Sequence, residues 1–163
     1  MNILVTGGEG FIGQKLVNKL IKEGHKVTSL DFKPTADIVA DLSDKNFNFN
    51  CISNIDYIFH LAAQPGGYSS LNDPYTDGKW NCLGTINVVK LAQKLKVKKL
   101  IYISSMAIYG NQESAGENLM GKNKPTPISF YGVSKFTGEL YTKLIYEHSG
   151  IPYTIFRLFA TYG

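Results

Sequence analysis

Short apolar runs alternate along the chain with longer stretches in which apolar positions recur every three or four residues. Residues 2–6 carry Ile3, Leu4 and Val5 in a row, the pattern of a strand buried on both faces. In residues 11–23, Phe11, Ile12, Leu16, Val17, Leu20 and Ile21 repeat at helical spacing, and Gly24 then stops the helix. The same reading predicts further strands at 26–31, 38–40, 56–61, 99–104 and 153–158. It predicts one long helix over 72–96, with Val88, Leu91, Ala92 and Leu95 on one face, and another over 130–148. Residues 112–127, rich in Gly, Pro, Asn and Lys, read as a loop. Strands joined by helices of this length predict an α/β fold, a doubly wound parallel sheet with helices on both faces. No repeat or linker interrupts the pattern, so residues 1–163 read as one domain. Sheets of this kind bind ligands at the carboxyl ends of their strands, which directs attention to the residues after Thr6, Asp31, Leu61, Ser104 and Leu158.

Composition narrows the function without choosing it. Hydrophobic residues make up 44% and charged residues 18%, an ordinary globular balance. The net charge of +4 is mild, and much of the local excess, Lys90, Lys94, Lys96, Lys98 and Lys99, sits around a helix end where cations complement the dipole. No basic stretch with interleaved aromatics appears, so nucleic acid is not an expected partner. The two cysteines, Cys51 and Cys82, make neither a disulfide framework nor a metal site, and Cys82 reads as a buried thiol. No apolar run is long enough to span a membrane and the amino terminus has no signal-peptide pattern, so a cytoplasmic protein is expected.

The turn after the first strand carries the clearest chemistry. In Thr6-Gly7-Gly8-Glu9-Gly10-Phe11-Ile12-Gly13, glycines 7, 10 and 13 form GxxGxxG, and 8, 10 and 13 form GxGxxG. Glycines let the backbone come close to a pyrophosphate, and the helix that follows offers free N–H groups and its positive dipole end. In a strand–turn–helix context this is a dinucleotide phosphate site. Asp31 ends the second strand, where a carboxylate binds both ribose hydroxyls of adenosine and repels the 2′-phosphate of NADP. NAD is therefore the expected cofactor, although Lys33 nearby would accept a phosphate. Asp41 and Leu42, after the third strand, are candidates for the adenine edge, with Asp41 accepting from the exocyclic amine.

Several motifs together resemble the extended short-chain dehydrogenase/reductases, the sugar-nucleotide epimerase/dehydratase family. They are the TGGxGFIG opening, His60-Leu61-Ala62-Ala63, Asn81-x-x-Gly84-Thr85, Ser104-Ser105-x-x-x-Tyr109-Gly110, Tyr131-x-x-x-Lys135, and Arg157-x-Phe159-Ala160-x-Tyr162-Gly163. The resemblance implies a Rossmann-type fold, NAD along Leu61, Ala62, Ala63 and Ser104, and Asn81 near the cofactor, fixing a loop more than doing chemistry. It also implies a smaller substrate-binding domain beyond these residues, and a homodimer built on the helix after strand four and the Tyr131 helix.

Tyr131 and Lys135 lie four apart and share a helix face. An adjacent ammonium favours the phenolate, so Lys135 is expected to lower the pKa of Tyr131 and let it act as general base. Lys135 would also hold the nicotinamide ribose, and Ser105 would bind the same substrate oxygen as Tyr131. His60 reads as a packed histidine with no metal-ligand cluster around it. The family's dehydratases carry Asp-Glu where this chain has Met106-Ala107, and its decarboxylases carry Glu at Ala107, so both reactions are disfavoured. Epimerisation of a nucleotide sugar through a transient keto intermediate is the leading expectation. The alternatives are an NAD(P)-dependent carbonyl reductase and a non-catalytic NAD-binding domain. Ala160 stands where the family has Asn at the substrate diphosphate, a departure from the nucleotide-sugar pattern. Residues 65–68 lack a cation for a sugar carboxylate, so a uronic acid is not expected.

Overall fold

The computed structural model describes residues 1–111 and 124–160. Six strands, β1 (Asn2–Thr6), β2 (Lys26–Asp31), β3 (Ile38–Val39), β4 (Tyr57–His60), β5 (Lys99–Ser105) and β6 (Tyr153–Leu158), form one parallel sheet in the order β3-β2-β1-β4-β5-β6. The order reverses between β1 and β4, so the two halves of the sheet wind away from a crevice above the ends of those strands.

The two faces follow from the alternation of side chains along each strand. Leu4, Leu30, Ile58 and Leu100 point to one face and pack with Val88, Leu91, Ala92 and Ile145. Those four belong to α4 (Gly84–Leu95) and α5 (Phe130–Ser149). Ile3, Val5, Tyr57 and Phe59 point to the other face, where Leu16, Val17 and Leu20 of α1 (Phe11–Lys22) meet them. Gly24, at φ 81°, lets the chain leave α1 in the left-handed region, as its position predicts.

The long helix predicted over 72–96 is broken at its start and irregular in its middle. Residues Gly67–Asn72 form a separate short helix, α2, and α3 (Pro74–Asp77) begins afresh. Pro74 has no N–H to continue α2, and the Asp73 carboxylate accepts from the Thr76 N–H at 3.0 Å as the cap of α3. From α3 the chain runs through a π-helical segment, Gly78–Leu83, into α4. Cys82, on that segment, is half-buried rather than buried, and Cys51 is exposed.

Of the predicted 112–127 loop, residues 112–123 lie outside those described; residues 124–127 have no regular structure, and the Thr126 N–H donates to the Ile108 carbonyl at 2.8 Å. Residues 161–163 of the Arg157 motif also lie outside. Among the described residues, no helix is long and apolar enough to cross a membrane.

Candidate active site

The glycine turn is fixed by contacts that leave no room for a side chain. Gly7 sits at φ 69°, and a Cβ there would stand 2.6 Å from the Ala62 nitrogen. A Cβ on Gly13 would stand 2.0 Å from the Gly7 carbonyl oxygen, so α1 packs directly on the turn. Gly10 starts α1 without a side-chain cap, and the first intrahelical acceptor bond is Gln14 N–H to the Gly10 carbonyl at 3.0 Å. The N–H groups of Phe11, Ile12 and Gly13 precede that bond and so have no carbonyl within the helix. All three residues line a cavity of about 340 Å³ at the strand ends.

That cavity continues into a second, of about 250 Å³, through shared walls at Gly7, Gly10, Leu61, Ala63 and Pro65. The second holds Asp31, Asp41, Leu42 and Ala62. Asp31 is buried, and its carboxylate accepts from the N–H groups of Glu9 (3.1 Å) and Lys33 (3.2 Å), tying the glycine turn to the end of β2. The Lys33 ammonium donates to the Glu9 carbonyl at 2.8 Å. Asp41 accepts from the Ser43 N–H and hydroxyl and pairs with Lys79 at 3.1 Å. Burial raises its pKa, but the Ser43 hydrogen bonds and Lys79 outweigh this and hold the carboxyl below its usual range.

The first cavity holds Ser104, Ser105, Tyr131 and Lys135 together. Ser105 ends β5 and caps the 3-10 turn Met106–Tyr109, accepting from the Ala107 N–H at 3.2 Å. Ser129 caps α5, and Gly132 packs so closely that a Cβ would lie 2.5 Å from the Ala107 carbonyl oxygen. This approach of α5 to the turn brings Tyr131 beside Ser105. About two turns on, Gly138 leaves room for the Tyr102 hydroxyl, so α5 lies against β5 and the Lys135 ammonium sits 4.6 Å from the centre of the Tyr102 ring. The Ser104 hydroxyl is buried in the cleft wall and finds no partner among the described residues. A polar group so placed costs free energy unless a ligand satisfies it, which fits a cleft made to hold the ribose and amide groups of a dinucleotide.

The electrostatics correct one expectation. Burial pushes the Tyr131 phenol above its ordinary pKa; the Ser105 hydroxyl opposes the shift and Asp77 adds to it. The Lys135 ammonium does not produce the lowered value expected from sequence, because desolvation acts on Lys135 as well. Burial brings its pKa down to about 8, against the nearby charges of Asp77 and Glu139. His60 is packed, as expected: its ring nitrogens bond Thr6 (2.7 Å) and Thr85 (3.0 Å), and burial, with Lys135 adding, holds it neutral with a pKa of about 3.

Asn81 lines neither cavity. Its carbonyl oxygen accepts from the Gln64 N–H at 2.7 Å, and its amide nitrogen lies 2.8 Å from Asp77 and 3.0 Å from the Ser134 hydroxyl. It joins the loop after β4 to α3 and α5, which fits the loop-fixing role read from sequence.

The family model described as NAD dependent epimerase/dehydratase matches residues 3–163. The chain belongs to the NAD-dependent epimerase/dehydratase family. It is 37% identical, over 99% of its length and 56% of the relative's, to the Methanocaldococcus jannaschii protein named "Putative UDP-glucose 4-epimerase". Among solved structures, it is 31% identical to the UDP-glucose 4-epimerase of Thermus thermophilus in complex with NAD (TM-score 0.86, covering 96% of this chain and 54% of that one). It is 30% identical to the UDP-glucuronic acid 4-epimerase of Bacillus cereus in complex with UDP-glucuronic acid and NAD (TM-score 0.87, covering 100% and 58%). The chain spans about half the length of the curated relatives it matches: 56%, 55% and 57% of the first three.

Beyond the family motifs, the structure adds residues that sequence reasoning missed. Asp77 and Glu139 are buried carboxylates near Lys135. Glu139 accepts both Nε (2.9 Å) and Nη2 (2.8 Å) of Arg157, whose Nη1 donates to the Tyr109 hydroxyl. Their only sequence signal was spacing: Asp77 lies four before Asn81, and Glu139 four after Lys135. Phe32 and Trp80, at the other end of the cleft, had none.

Proposed function

We propose that residues 1–163 are the cofactor-binding domain of an NAD-dependent epimerase that inverts a hydroxyl-bearing carbon of a nucleotide sugar. The observation that carries this is the single cleft, which joins the glycine turn and Asp31 at one end to Ser105, Tyr131 and Lys135 at the other. The α1 amino terminus would take the pyrophosphate. Asp31 would take the adenosine ribose, Asp41 and Leu42 the adenine, and Leu61, Ala62, Ala63 and Ser104 the middle of the dinucleotide. Lys135 would hold the nicotinamide ribose. NAD, when bound, supplies a reversible acceptor for hydride and a positive charge beside Tyr131.

Tyr131 takes the proton of the sugar hydroxyl and later returns it. The raised phenol pKa keeps Tyr131 protonated at neutral pH, so by itself it presents little of the phenolate that takes a proton. The charged form of Lys135 and the positive charge that bound NAD would supply would favour the phenolate, so a larger fraction of Tyr131 would be able to take a proton. Ser105, whose hydroxyl caps the turn and meets Tyr131, would hold the same sugar oxygen. Met106 and Ala107 supply no acid or base for eliminating water, which favours epimerisation over dehydration. The relatives named for UDP-glucose support a neutral UDP-hexose, and the absence of a cation in residues 65–68 disfavours a uronic acid. The exposed apolar positions Leu140 and Leu144 of α5, the second of which lines a groove with Val89 of α4, support a homodimer through these helices, and the protein is proposed to be cytoplasmic.

Calorimetric titration with NAD and NADP, followed by incubation of the protein with NAD and UDP-glucose, tests the reading. Tighter binding of NAD and formation of the epimeric UDP-sugar without net NADH are expected. Tighter binding of NADP, or stoichiometric consumption of reduced cofactor, would put the reductase reading in its place. Tyr131→Phe should lower kcat by about 10²–10⁴ and leave NAD affinity within a few-fold.

A further inference from the structure

We infer that Phe32 and Trp80 form an aromatic wall that takes the purine end of the dinucleotide, so that the adenine half is held by stacking. The inference rests on the reading of the cleft as an NAD site and names residues that no family motif includes.

Phe32 follows Asp31 directly and is 65% exposed, an unfavourable place for a large apolar side chain with nothing to cover it. Its one ring partner among the described residues is Trp80, with centroids 5.8 Å apart and planes at 22°. Both rings line the 250 Å³ cavity, whose other walls include Leu30, Ala40, Leu42 and Ala62. The cavity wall is therefore mostly apolar, and the two carboxylates in it are already engaged, Asp31 by the Glu9 and Lys33 N–H groups and Asp41 by Ser43 and Lys79. A base entering such a space is recognised chiefly through its faces.

The origin of Trp80 gives a second, independent reason. It lies on the π-helical segment Gly78–Leu83, next to Lys79. A π segment holds one more residue per turn than an α-helix, which re-aims the side chains that follow, and such segments often occur at functional sites. Here the two neighbours reach the same opening from one side: Lys79 pairs with Asp41 after β3, and Trp80 stacks on Phe32 after β2. The segment thus bridges the mouth of the purine end at two points, and the ring pair is the part that faces the cavity.

Trp80 is the single tryptophan of the chain, so its emission reports on this wall alone. Titration with NAD, ADP-ribose or AMP should change that emission saturably, while nicotinamide mononucleotide, which lacks the purine, should not. Trp80→Ala should weaken NAD and ADP-ribose by a similar factor, about tenfold, in line with loss of one stacking partner. Trp80→Phe, which keeps a ring, should stay within about threefold by calorimetry and shows that the site still folds. Calorimetric binding of NAD with silent Trp80 emission, or unchanged affinity in Trp80→Ala, overturns the wall and leaves the cofactor reading standing. Failure of the parent chain to bind either NAD or ADP-ribose by calorimetry overturns both.

Discussion

The end of the cleft beside Asp31 and the end beside Lys135 are built on opposite physical terms. At the first, the side chains stand at the surface and meet across an opening: Phe32 on Trp80, Lys79 on Asp41. At the second, Lys135 is 3% exposed and Glu139 is fully buried, and each polar group is held by others: Asp77 by Asn81, Asn81 by Ser134, Glu139 by Arg157. The difference fits the roles proposed for the two ends. Binding a flat base asks only for surfaces that can be covered, and these tolerate solvent when empty. Placing a phenol and an ammonium for proton transfer asks for fixed positions, and fixing charges away from water costs stability that neighbouring charges must offset. Changes at the buried end should therefore act first on stability, and changes at the exposed end on binding.

The largest effect is expected at Glu139. Glu139→Ala removes both acceptors of the Arg157 guanidinium, which Glu139 holds well above its usual pKa. The Arg157 side chain keeps some water, at 27% exposure, so the loss falls somewhat below that of a fully buried pair, about 2–4 kcal/mol. Urea unfolding gives the number. A loss under about 0.5 kcal/mol, the scale of a surface pair, would show that the buried end is no more tightly framed than the rim.

Lys135 should show the reverse sign. Its folded pKa of about 8 lies below its ordinary 10.5, so between those values the unfolded chain holds a proton that the fold has released. Stability contributed by this group therefore rises with pH across that window, and below pH 8 the buried ammonium weighs against folding by up to about 3 kcal/mol. Lys135→Met should be more stable than the parent at pH 7 by about 1–3 kcal/mol, with the advantage fading towards pH 10.5, while NAD affinity falls. Other tyrosines and lysines titrate in the same range, so the difference between the two proteins is the quantity to follow. A variant less stable than the parent at pH 7 would mean that Asp77 and Glu139 more than offset the burial of the charge.

The same contrast explains what the sequence made legible. Residues 2–6 read as a strand because a strand covered on both faces has little choice but a run of apolar residues, and β1 was found where expected. The exposed end shared in this clarity most where a turn required glycine: Gly7 and Gly13 stand where a Cβ would collide with backbone. The break before α3 was written in Asp73-Pro74, a cap followed by a residue without an N–H, and the apolar periodicity beyond it hid the signal. The π-helical segment had no local cue, since it depends on how Asn81 and Asp77 are held by the loop after β4 and by α5. Ser105, Tyr131 and Lys135 were found as a family pattern and converge as it implies. Their charges could not be read: an i, i+4 neighbour predicts attraction, but desolvation by the whole fold decides the direction for both Tyr131 and Lys135.

The smallest effect is expected at Lys79, and it decides how far the exposed end depends on charge. Lys79 and Asp41 are 52% and 44% exposed, and their 3.1 Å contact is screened by solvent. Lys79→Ala should change stability by no more than about 0.5 kcal/mol. If the purine end is held by ring faces, NAD affinity should move by less than about threefold, and its dependence on salt should hardly change, because the lysine lies on the rim and the cavity wall is apolar. Calorimetry at low and physiological ionic strength measures both. A tenfold weakening that grows as salt falls would show that the bridge from Lys79 to Asp41, rather than the stack beside it, orders the opening. The exposed end would then be organised by charge, as the buried end is, and the contrast between them would reduce to one of solvent access alone.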